Sequence, residues 1–127
     1  MPRTVLIVED TESWTSTLEI ALSALPDVEV VTASSARKAL QLLDRQDVSA
    51  IITDLHMPQM DGFELIEHVR AGGTGPRIPI IVLSGDTDPN TPDRVKRLGA
   101  DAYFTKPYSP ALVRDTLERL LHETQPQ

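Results

Sequence analysis

Short apolar runs punctuate the chain at residues 5–8, 28–31, 50–53, 78–83 and 102–104. Most are rich in Val and Ile and lack polar alternation, as parallel strands buried on both faces do. Between them the period changes to that of amphipathic helices. Trp14, Leu18, Ala21, Leu22 and Leu25 share one stripe, and Ala36, Ala39, Leu40 and Leu43 another. Phe63, Ile66 and Val69 or Arg70 keep the spacing in a third segment, and Val113, Leu117, Leu120 and Leu121 in the last. Start signals agree: Asp61 with Glu64 three later reads as a capping box, and Ser109-Pro110 as N-cap followed by N1. The fourth helix is interrupted by Pro89 and Pro92, so it is expected to begin only with Thr91 as N-cap and Pro92 at N1. It should last about two turns, to Leu98, and stop at Gly99, a natural C′ residue.

Strand and helix alternating in this way imply an α/β fold, a (βα)5 doubly wound five-stranded parallel sheet with right-handed crossovers. The expected strand order is 2-1-3-4-5, the flavodoxin-like arrangement. Residues 1–121 form the domain, and 122–127 read as a polar tail or the start of a linker. The glycine-rich stretch at 71–76 comes after a helix, whereas a phosphate cradle comes after a strand and opens a helix, so it reads as a connector.

With 12 basic and 19 acidic side chains the net charge is −7, which argues against a nucleic-acid or membrane surface. A hydrophobic content of 40% suffices for a real core in a chain of 127 residues, the size of one domain. The absence of cysteine excludes disulfides, thiolate metal sites and a cysteine nucleophile. The first apolar run is too short for a signal peptide or a membrane span, and a soluble cytoplasmic domain is expected.

In an open parallel sheet the ligand site lies beyond the carboxyl ends of the strands. At those ends the sequence places Glu9-Asp10, Asp54, Ser84-Gly85-Asp86 and Thr105-Lys106-Pro107. One such Asp alone reads as a turn former or cap; the whole set on adjacent strands does not. Three carboxylates within a few ångströms repel, so they raise one another's pKa or recruit a cation. Oxygen donors without His or Cys suit a hard divalent ion, Mg²⁺ above all. Three acids against that ion and Lys106 sum to about zero charge. A phosphoryl group added to one carboxylate then meets an ion, an ammonium and a hydroxyl.

The motifs Leu6-Ile7-Val8-Glu9-Asp10, Thr53-Asp54-Leu55-His56-Met57-Pro58-Gln59-Met60-Asp61-Gly62, Val82-Leu83-Ser84-Gly85 and Gly99-Ala100-Asp101-Ala102-Tyr103-Phe104-Thr105-Lys106-Pro107 resemble those of the receiver domains of two-component response regulators. The resemblance implies that Asp54 accepts a phosphoryl group from a phosphohistidine. It implies Mg²⁺ held by Asp10 and Asp54 directly, by Glu9 through water and by the backbone carbonyl of His56. Lys106 would pair with Asp54 and then hold the phosphoryl oxygens. Ser84 would be the hydroxyl switch, Tyr103 the aromatic switch that turns inward, and Lys106-Pro107 a cis bond. Gly85 would leave room beside the phosphoryl group. His56 and Asp86 stand at positions that flank the path of a hydrolytic water in this family; here the bulk of His56 is expected to shield the acyl phosphate partly and Asp86 to orient the water.

Other residues read more plainly. Trp14 is expected as the first core residue of helix one, close enough to Asp10 to report a metal by fluorescence. Met57 and Met60 read as loop packing, His68 and His122 as solvated. The resemblance implies a signalling domain that is not an enzyme beyond its own phosphoryl transfer and dephosphorylation. Its partners would be a sensor histidine kinase or histidine phosphotransfer protein and a downstream protein target, with no direct nucleic acid and no membrane. It would be a monomer or a phosphorylation-dependent dimer. The short fourth helix departs from the family, and no DNA-binding motif comes after the fifth. Two alternatives stay open: a Mg²⁺-dependent aspartyl-phosphate hydrolase, although His56 stands where that class has a second Asp, and an interaction-only pseudo-receiver, although neither Asp54 nor Lys106 is lost.

Overall fold

A computed structural model describes residues 2–57, 59–72 and 77–124. Ten elements alternate: β1 (Arg3–Val8), α1 (Glu12–Leu22), β2 (Val28–Ala33), α2 (Ala36–Arg45), β3 (Ala50–Asp54), α3 (Gly62–Ala71), β4 (Ile80–Ser84), α4 (Thr91–Leu98), β5 (Ala102–Thr105) and α5 (Pro110–Thr124). The strands form one parallel sheet in the order β2-β1-β3-β4-β5, as expected. In its register Val5 lies between Val30 and Ala50, Asp54 beside Leu83, and Ser84 beside Thr105.

Successive strand side chains point to opposite faces, which divides the core in two. Leu6, Val8, Ile51, Ile80 and Val82 pack under α2, α3 and α4, meeting Ala36, Ala39, Leu65, Ile66 and Val95. Val5, Ile7, Ile52, Ile81 and Leu83 pack under α1 and α5, meeting Leu18, Leu22, Val113, Leu117 and Leu121. Each large side chain so enclosed is worth about 1.5–3 kcal/mol relative to exposure. Burial on both faces holds for β3 and β4 and for β1 from Val5 onward, but not for the edge strands. Along β2 only Ala33 is buried, and β5 is at most half-buried, because an edge strand has a neighbour on one side only.

Local signals fix the helix starts. Ser35 caps α2 by accepting from Lys38 N, Asp61 caps α3 through Glu64 N, and Ser109 Oγ accepts from Leu112 N at α5. Leu65 joins Phe63 and Ile66 in the core, so the buried face of α3 is wider than the sequence stripe. At α4 the expectation needs correction. Asn90 stands at the cap without a side-chain bond, Thr91 is already helical, and Pro92 falls one position later than expected. The Thr91 hydroxyl is engaged elsewhere, on Asp86. The stop is as expected: Gly99 has φ +112°, and the N–H groups of Gly99 and Ala100 return to the carbonyls of Lys96 and Val95. Helix α5 runs through Thr124, three residues past the expected end of the domain; 125–127 lie outside the described residues, as do Pro58 and 73–76 of the glycine-rich connector.

Candidate functional site

The carboxyl ends of β1, β3, β4 and β5 bring Glu9, Asp10, Asp54, Ser84 and Lys106 to one rim. Carboxylate oxygens of Glu9, Asp10 and Asp54 all lie within 4.8 Å of one another, with Glu9 and Asp54 buried and Asp10 exposed. Lys106 enters this cluster with its Nζ 2.7 Å from Glu9 Oε1 and 3.4 Å from Asp54 Oδ2. The ammonium therefore makes the expected pair with Asp54 and a shorter one with Glu9. The second Glu9 oxygen accepts from Thr11 N at 3.1 Å, tying the carboxylate to the start of α1. Burial pushes the Glu9 pKa up and the Asp54 charge adds to the rise, while the bonds from Lys106 and Thr11 oppose it.

Asp54 is fixed by its backbone. Its Oδ1 accepts from Leu55 N at 2.8 Å, and its carbonyl accepts from the Thr53 hydroxyl at 2.8 Å. The first turn of α3 then closes on this segment, with Gly62 N donating to the Leu55 carbonyl. A Cβ on Gly62 would overlap the Asp54 carbonyl oxygen, so only glycine admits the approach. At Gly85, by contrast, a Cβ would meet nothing within 4 Å, which leaves open space just past the end of β4.

Ser84 is fully buried, and its Oγ accepts from Asp86 N at 2.9 Å. Asp86 is a hub: Oδ2 meets His56 Nε2 and the Thr91 hydroxyl, each at 3.0 Å, and Oδ1 accepts from Asp88 N. The Asp88 amide chiefly, and His56 after it, hold the Asp86 carboxyl below its ordinary pKa. His56 and Asp86, read from the sequence as two separate residues, are thus one bridge between the β3–α3 and β4–α4 loops. Tyr103 already has its hydroxyl enclosed. Burial raises its pKa; the Ser84 hydroxyl is near enough to oppose that rise without reaching hydrogen-bond geometry.

Trp14 is not the core residue expected of it. Half-buried, it stacks on Tyr108 with ring centroids 5.0 Å apart, and the Lys106 ammonium sits 5.1 Å from its ring centre. The sequence reading passed over Tyr108; the available signal was its place two residues after Lys106. The Lys106-Pro107 bond is cis, as expected. Met57 and Met60 pack against the core, and His68 and His122 are exposed, both as expected.

Oxygen-only donors this close together fit a hard divalent cation. The family of response regulator receiver domains matches residues 5–118. The chain belongs to that family. Among relatives of this receiver domain, the chemotaxis protein CheY1 of Helicobacter pylori is 30% identical over 118 residues, covering 92% of this chain and 95% of CheY1. Protein RcaC of Microchaete diplosiphon is 32% identical over 107 residues, covering 84% of this chain but only 16% of RcaC. Among solved structures, the receiver domain of sensor histidine kinase PA1611 from Pseudomonas aeruginosa PAO1, described with a magnesium ion coordinated in its active site cleft, aligns with a TM-score of 0.78, 27% identity and 98% coverage of both chains. This receiver domain is a two-component signalling module, and neither the hydrolase nor the interaction-only alternative is favoured. Among the described residues no helix is long and apolar enough to cross a membrane.

Proposed function

We propose that Asp54 is the phosphoacceptor, taking a phosphoryl group from the phosphohistidine of a sensor kinase or phosphotransfer protein in the cytoplasm. The observation that carries this reading is the Lys106 ammonium set among three converging carboxylates at the strand ends. An Asp54 oxygen attacks phosphorus; the P–O bond forms as the P–N bond breaks, and the imidazole nitrogen keeps the electron pair. Asp10, Asp54, Glu9 and the His56 carbonyl would hold Mg²⁺, which would supply charge neutralisation at the phosphoryl oxygens. Lys106 holds those oxygens as well. Ser84 turns toward them, and Tyr103 fills the space behind it, altering the α4–β5–α5 face that a downstream protein or a second copy reads.

Reversal is hydrolysis: water attacks the same phosphorus, Asp54 leaves with the bonding pair, and phosphate is released. The His56–Asp86 bridge stands beside the open space at Gly85 and governs that water, His56 by covering the acyl phosphate and Asp86 by orienting the nucleophile.

Incubation with acetyl phosphate and Mg²⁺, with intact mass as the readout, tests the reading. One added phosphoryl group in the parent and none in Asp54→Asn supports it. Turnover of phosphomonoesters without an adduct overturns it in favour of a hydrolase, and no reaction in favour of an interaction-only domain.

A further inference from the structure

Tyr108 takes no part in the phosphoryl chemistry, yet its hydroxyl is enclosed and meets no hydrogen-bond partner among the described residues. An enclosed hydroxyl without a partner is unfavourable, and native folds seldom keep one without a use. The ring is held by Trp14, the same indole that carries the Lys106 ammonium, so phenol and ammonium occupy one corner of the site. Burial pushes the Tyr108 pKa up to about 12, and the charges of Glu9 and then Asp54 push the same way. The group stays a neutral donor, within electrostatic reach of both acids.

Glu9 is the residue with something to lose. Its side chain is only 1% exposed, and one of its oxygens depends on Lys106 at 2.7 Å. A phosphoryl group on Asp54 carries more negative charge than the carboxylate it replaces and draws the ammonium toward itself. Every step in that direction lengthens the bond to Glu9, and a buried carboxylate that loses its partner is costly.

We propose that Tyr108 is a positioning residue of the loaded site: as Lys106 turns to the phosphoryl oxygens, the Tyr108 hydroxyl donates to the Glu9 oxygen the ammonium leaves. It thereby keeps Glu9 aimed at the cation. This inference rests on Asp54 being the phosphoacceptor.

The test compares the parent, Tyr108→Phe, Glu9→Gln and the double variant, each titrated with beryllofluoride in Mg²⁺ as a stable phosphoryl mimic. Tyr108→Phe keeps the ring on Trp14, so without ligand it should melt at or above the parent's temperature. With Mg²⁺ it should bind beryllofluoride about tenfold more weakly. In the Glu9→Gln background the same change should have no further effect. A ¹³Cζ-tyrosine spectrum, with Tyr103→Phe to assign the two resonances, should show the Tyr108 signal moving on loading in the parent and staying in Glu9→Gln. Equal affinity of Tyr108→Phe and parent, an undiminished loss in the Glu9→Gln background, or a stationary Tyr108 resonance in the loaded parent overturns the inference alone. A parent that binds no beryllofluoride overturns it together with the phosphoacceptor reading.

Discussion

Gly62 seats the first turn of α3 directly on the backbone of Asp54. Its N–H reaches the Leu55 carbonyl at 2.8 Å, and a Cβ there would overlap the Asp54 carbonyl oxygen and stand 2.8 Å from Leu55 Cα. Both neighbours are backbone and neither is free to swing away. Gly62→Ala should therefore destabilise the fold by about 1–3 kcal/mol, the usual cost of overpacking, read as a lower melting temperature. Phosphorylation of the folded fraction by acetyl phosphate should also slow, because any relief must move Asp54. A parent-like melting temperature would show that α3 is not pressed on that strand end.

Glu9 has a raised pKa, so the folded state holds its proton more tightly than the unfolded chain does. Ionising it therefore removes stability as the pH climbs from its ordinary value of 4.5 through the raised value. Without metal, Glu9→Gln should melt above the parent at neutral pH. That advantage should vanish below pH 4.5, where the parent is also uncharged at this position. Adding Mg²⁺ should stabilise the parent and leave the variant behind. Melting curves from pH 4 to 8, with and without metal, check the sign.

Because His56 and Asp86 share one contact at 3.0 Å, their effects on the lifetime of the phosphoryl group should not be independent. Removing the proposed shield in His56→Ala should speed dephosphorylation several-fold. Asp86→Ala removes the group proposed to orient the water but also releases His56 and Thr91, so its two expected consequences oppose each other. Its slowing effect should be larger in the His56→Ala background than in the parent. Phosphate release after the donor is removed measures all four rates; effects that simply multiply would mean that the bridge is absent from the phosphorylated form.

Arg70 fastens the opposite end of the sheet. Its guanidinium donates to the carbonyls of Gly99 and Ile78 and to the Asp101 carboxylate, joining α3 to the segments that enter β4 and β5. Arg70→Met should cost about 2 kcal/mol by taking the Arg70 donor from the Ile78 carbonyl and leaving Gly99 and Asp101 to Arg77 and Ile80. The rate of reaction with acetyl phosphate, per folded molecule, should be unchanged, since the acids lie at the other ends of the strands. A slowed reaction at full folding would reveal coupling along the sheet.

Much of the site was legible because it is written in short stretches. Glu9 and Asp10 end an apolar run, Asp54 ends another, and the rule that strand ends gather ligands joins them. The partners chosen at the rim were not legible. Lys106 and Glu9 are 97 positions apart and His56 and Asp86 30 apart, and nothing in either neighbourhood specifies a contact of 2.7 or 3.0 Å. Tyr108 was missed for the same reason: a phenol after Pro107 reads as a loop residue until Trp14 is seen beneath its ring. At α4 the cap was misplaced by one residue because the Thr91 hydroxyl bonds to Asp86, five positions back and beyond the reach of a capping rule.

Periodicity, caps and the glycine after Leu98 act over a turn or two of backbone, and so the chain by itself determined the strands, the helices and the sheet order they permit. Which strand faces are covered, which carboxylate holds the ammonium, and which hydroxyl is left without a partner depend on side-chain rotamers set by packing between distant segments. Only the assembled sheet and its two helical layers decided those, because a hydrogen bond is made or lost over a few tenths of an ångström and no local pattern fixes a distance that finely.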